Sequence, residues 1–157
     1  MSPSDILHRI RTALRLSPEE MSRIFALEDL VRTPEEIEAI TARPGTPKAR
    51  PCTYEELGIF LDGLIRYKRG SVTNPPPPDA EIVLDNNLIL KKLRIALQLK
   101  DPEILIIFGL ADRELSISRI KDLFRNPAHP KYRPCSDAVL NDFLIGLDEF
   151  YYEGNGG

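Results

Sequence analysis

Few side chains in this sequence could do chemistry: it holds two cysteines, two histidines and several adjacent carboxylates. Cys52 and Cys135 each precede a residue suited to start a helix, Thr53 and Ser136. An apolar residue there packs on the fifth residue beyond, Leu57 or Leu140, as a hydrophobic staple, and cysteine serves as a small hydrophobe. The pairs Glu19-Glu20, Glu35-Glu36 and Glu55-Glu56 could act as acid and base. Each pair falls in an expected first helical turn, where it complements the helix dipole. No nucleophile elbow, glycine-rich phosphate loop or metal-type cluster accompanies them. These residues predict no enzyme and no cofactor.

The elements that hold these residues occur twice. Shifted by 83 positions, residues 4–70 fall without a gap on residues 87–153, and roughly a third of the pairs are identical. Cys52 falls on Cys135, Arg11 on Arg94, Asp29 on Asp112, Phe60 on Phe143 and Gly63 on Gly146. His8 and His129 do not correspond: their equivalents are Lys91 and Thr46, so both read as surface residues. The two copies are joined through residues 71–85, where Pro75 to Pro78 are consecutive and make a stiff, extended spacer. The fold class is therefore all-α, two tandem repeats of a four-helix domain joined by a proline-rich linker.

Start signals place the helices. Ser4 is read as the first cap, followed by apolar positions 6, 7, 10, 13 and 14 at helical spacing. Ser17 to Glu20 and Thr33 to Glu36 are capping boxes with proline at the first helical position, and Thr53 to Glu56 opens a fourth helix that Gly70 ends. Residues 103–108 alone could be a strand, but their counterparts 20–25 read only as a helix. In that helix Ser22 and Arg23 become Leu105 and Ile106, which predicts extra burial where the copies meet. Arg11 and Arg94 are expected to pair internally with Asp29 and Asp112.

The chain has a net charge of −3, balanced in both halves, which argues against a dedicated nucleic-acid binder. No apolar run is long enough to cross a bilayer and no signal-peptide pattern opens the chain, so it reads as cytoplasmic without a membrane partner. Lys48 and Arg50, matched by Lys131 and Arg133, stand on a proline-stiffened crossing before the fourth helix and read as solvated charges.

Residues 86–100, the segment Phe60 to Ile65 with Lys68, Arg69 and Gly70, and the helix starts after Cys52 and Cys135 resemble the YehS-like bacterial family of unknown function. The resemblance spans both copies and the linker. It implies a duplicated helical cytoplasmic protein and supplies no activity or catalytic residue. Pro44, Pro47 and the tail Phe150, Tyr151, Tyr152 depart from the family pattern.

Two functions remain open. The favoured one is a protein-interaction module with an unknown protein partner, using Leu105, Ile106, Tyr67, Phe150 and Tyr151 as interface residues. The alternative is a helix-turn-helix-like regulator binding nucleic acid through Arg119, Lys121, Arg125, Lys131 and Arg133. The acidic third helix of the first copy weakens that alternative.

Overall fold

The computed structural model describes residues 1–70 and 84–152, so the proline run of the linker lies outside the described residues. These residues form eight helices: α1 Pro3–Leu14, α2 Pro18–Ala26, α3 Pro34–Thr41, α4 Tyr54–Arg69, α5 Asn86–Leu97, α6 Asp101–Leu110, α7 Ile117–Leu123 and α8 Asp137–Tyr152. The all-helical, duplicated reading holds, and the ambiguous segment 103–108 is helix.

Helix starts follow from capping chemistry. The Ser17 hydroxyl accepts from the Glu20 N–H at 3.1 Å while the Glu20 carboxylate accepts from the Ser17 N–H at 3.0 Å. Thr53 and Glu56 repeat both bonds at 3.0 Å. At Thr33 the box is half made: the hydroxyl caps Glu36 N–H but then donates to the Glu36 carboxylate. The first cap is Ser2, with Pro3 at the first helical position, not Ser4. Ser4 lies inside α1, and its hydroxyl accepts from the Cys52 N–H at 2.7 Å. In the second copy Asn87 stands at that position and its Oδ1 accepts from the Cys135 N–H at 2.8 Å. Different residues thus tie the first helix of each copy to the same crossing.

Helix ends are equally systematic. Arg15, Asp29, Gln98 and Asp112 have positive φ, and after each the next N–H reaches back to the helix: Leu16 to Arg11, Leu30 to Phe25, Leu99 to Arg94 and Arg113 to Phe108. These are Schellman-type ends. They overturn the expected Arg11–Asp29 and Arg94–Asp112 pairs. The aspartates are shared because a short polar side chain tolerates the left-handed conformation. The arginines turn elsewhere. Arg11 donates to the Thr41 hydroxyl at 2.9 Å, and Arg94 lies 4.7 Å from the ring centre of Phe124, the residue equivalent to Thr41, and pairs with Asp101 at 2.9 Å.

The two copies share one core. α1 packs on α8 and α5 on α4, so each first helix lies against the fourth helix of the other copy. Within a copy, α2 crosses α4 and α6 crosses α8. Gly63 and Gly146 sit at those crossings, where an added Cβ would overlap the carbonyl oxygen of Ile24 or Ile107. Beside them the rings of Phe25 and Phe60 are 5.7 Å apart and those of Phe108 and Phe143 are 5.5 Å apart. α3 packs on α1 and α2, and α7 on α6. Leu105 and Ile106 face solvent, which overturns their expected place between the copies: that junction belongs to α1, α4, α5 and α8.

Candidate interaction surfaces

On α6 the core takes Ile104, Ile107 and Phe108. The opposite side is exposed and consists of Pro102, Leu105, Ile106 and Gly109, with Leu105 36% and Ile106 52% accessible. These positions follow the spacing i, i+3, i+4, i+7 and form one apolar stripe. Nothing lies within 4 Å of a Cβ built on Gly109, so the stripe ends in open space. The same positions of α2 carry Glu19, Ser22, Arg23 and Ala26. In the sequence, Pro102 and Gly109 are marked only by their helical spacing from Leu105 and Ile106.

The other expected interface residues are engaged in the fold. Phe150 is 4% exposed and belongs to the core, so it is no surface anchor. Its equivalent Tyr67 is half-buried and its hydroxyl donates to Glu20 at 2.9 Å. The backbone N–H of Ser17, helped by the Tyr67 hydroxyl, holds the Glu20 carboxyl below the ordinary carboxylate range. Tyr151 is half-buried, and desolvation pushes its phenol up to about 12.

The candidate nucleic-acid residues divide. Arg119, Lys121, Lys131 and Arg133 are exposed, whereas Arg125 is half-buried and its Nε donates to Asp122 at 2.7 Å. The crossings are docked alike in both copies, Arg50 N–H to Ala39 carbonyl at 2.8 Å and Arg133 N–H to Asp122 carbonyl at 3.1 Å. Their charges are not balanced alike. Arg50 pairs with Glu56 at 3.5 Å, but Val139 stands at the position equivalent to Glu56.

Reactive side chains are tied into the fold. Cys52 and Cys135 are free and buried, and burial pushes both thiols up to about 12. His8 is not a plain surface residue: it is half-buried and its Nδ1 lies 3.1 Å from the Thr41 carbonyl. His129 is exposed, and its Nδ1 accepts from the Lys131 N–H at 3.0 Å. A shallow hollow of about 630 Å³ beside His8 is lined by Ser2, Asp5, Arg9, Arg43 and Pro44.

Residues 4–70 and 86–151 each match the family model described as a protein of unknown function, DUF1456. The chain belongs to that family. One relative, the uncharacterized protein YehS of Escherichia coli (strain K12), is 35% identical over 147 residues, covering 94% of each chain. No solved structure matches. The resemblance drawn from the motifs is thereby shown, and this DUF1456 chain carries the family unit twice. Among its described residues, no helix is long and apolar enough to cross a membrane.

Proposed function

We propose that this chain is a non-enzymatic protein-interaction module that docks a protein partner on the exposed face of α6. The observation that carries the reading is the uncharged stripe Pro102, Leu105, Ile106 and Gly109, whose equivalents in the other copy include the charged Glu19 and Arg23. Single exposed apolar residues need no explanation, whereas an uncharged row at helical spacing offers a partner one face to pack against. The engagement of both thiols, Glu20 and His8 in structural contacts supports a role without catalysis.

A photo-crosslinking amino acid placed at position 106, and separately at the equivalent position 23, tests the reading in the native cell. A discrete crosslinked species is expected from position 106 and none from position 23. Equal labelling at both positions would refute it.

The nucleic-acid reading keeps one supporting observation: Arg119, Lys121, Lys131 and Arg133 are all exposed on the second copy. It predicts retention on heparin that falls steeply with salt and is lost when Arg119 and Lys121 become glutamate. Flow-through at low salt would sink it.

A further inference from the structure

The copies carry opposite charge at equivalent exposed positions of their third helices. Glu36 of α3 corresponds to Arg119 of α7, and Glu38 to Lys121; all four are exposed. Glu36 and Glu38 flank buried Ile37 on either side, as Arg119 and Lys121 flank buried Ile120, and exposed Glu35 lies between the two glutamates on the outer side of α3. Arg32 holds Glu36 loosely at 3.7 Å, and among the described residues Glu35 and Glu38 enter no ion pair. Among the described residues Arg119 and Lys121 of α7 likewise enter none, whereas Arg125, just beyond the end of α7, is taken by Asp122. Arg133 adds to the basic side because Val139 replaces the glutamate that its counterpart Arg50 engages. No ion pair joins α3 to α7 among the described residues, so neither face neutralises the other within the molecule.

We propose that the α3 face of one molecule docks on the α7 face of a second copy of this chain. Charge complementarity selects that occupant, since a single sequence supplies both faces on corresponding helices. The contact is heterologous: each pairing leaves one acidic and one basic face unused, so further copies add head to tail, closing into a ring where the rotation allows and continuing as a chain where it does not. It is independent of the α6 stripe. Because the charges are exposed, the association depends on screening. The Debye length shrinks from roughly 20 Å at about 20 mM salt to roughly 4 Å at about 0.5 M.

Sedimentation equilibrium of the intact chain at those two salt concentrations tests the contact. The average mass at low salt is expected to climb with concentration to at least about twice the monomer and to return to the monomer at high salt. Glu36→Arg with Glu38→Lys makes both faces basic, and Arg119→Glu with Lys121→Glu makes both acidic. Each double variant alone is expected to be monomeric, and a mixture of the two to associate again. Far-UV circular dichroism checks that both remain folded. A wild-type monomer at low salt overturns the proposal, as does a mixture that fails to associate. Association lost on changing Leu105 and Ile106 to serine, but untouched by both charge variants, would assign self-association to α6 and refute the α3–α7 contact. Wild-type protein that is monomeric alone and shifts only on adding a DNA duplex would overturn it in favour of nucleic acid.

Discussion

Gly63 and Gly146 leave no room for a methyl group, because α2 and α6 present a carbonyl oxygen where the Cβ would go. Alanine at either position should destabilise the chain by about 1–3 kcal/mol, the usual range for overpacking, read as a lower urea midpoint. Alanine at Gly109, which faces open space, should instead be neutral or stabilise by up to about 1 kcal/mol. The recurrence of Gly63 at Gly146 was visible in the sequence, but its cause was not, since it lies in a contact between helices distant in the chain. Asp29 and Asp112 show the opposite error. Their recurrence suggested a partner, and the left-handed backbone supplied the reason instead. Glycine at Asp29 should therefore be tolerated, whereas valine should lower stability by about 1–2 kcal/mol. The thiols give a pH test. Cys52 and Cys135 stay protonated up to about 12 in the folded chain, against an ordinary value of 9.0. Above pH 9 the unfolded chain loses these protons and the folded chain keeps them, so stability should fall as pH rises through that window. Both thiols should also resist a disulfide reagent at pH 8 until denaturant is added; fast native-state labelling would contradict their burial.

Element boundaries were the most legible layer, because a cap is local chemistry. Ser17, Thr33 and Thr53 each start the helix that their neighbours imply, and Gly70 ends α4 with φ 75°. The misplacement of the first start, Ser4 for Ser2, has a physical origin. Both serines can cap, and only the long-range bond from the Cys52 N–H shows that Ser4 is otherwise engaged. Removing that acceptor by Ser4→Ala should leave a backbone N–H unsatisfied and cost about 1–3 kcal/mol, with Asn87→Ala behaving alike in the second copy. Unchanged thermal midpoints in both variants would show that water replaces the bond. The exposed stripe on α6 was half legible: Leu105 and Ile106 stood out as substitutions, but which way they faced depended on how the copies meet, and no local pattern records that.

For the whole molecule, the decisive feature is the direction of the helices across the junction. Along α1 and α8 the contacts advance together: Met1 ammonium to Asp137, Arg9 to Asn141, Arg15 to Asp148. Along α4 and α5, Lys92 pairs with Asp62 and Arg69 donates to the Ile95 carbonyl. Both pairs therefore run parallel, with their polar contacts binding one copy to the other. A single cooperative unfolding transition should follow from the shared core, and a chain cut by a protease site inserted between residues 70 and 84 should still elute as one species. Separation of the two pieces on a sizing column would show that the connection, not the packing, keeps them together.

Parallel α4 and α5 also turn the length of that connection into a selector of subunit number. Leu84 lies beside Gly58, near the start of α4, while Gly70 is at its far end, about 18 Å away at 1.5 Å per residue. The 13 intervening residues, 71–83, can reach that far with room to spare, because an extended chain covers about 3.3 Å per residue. Shortened to two residues, the segment would reach at most about 11 Å and could no longer close the molecule on itself. Each chain would then have to lend its second half to another chain and receive that chain's half in return. The expected product is a domain-exchanged dimer with every native helix contact intact and twice the mass.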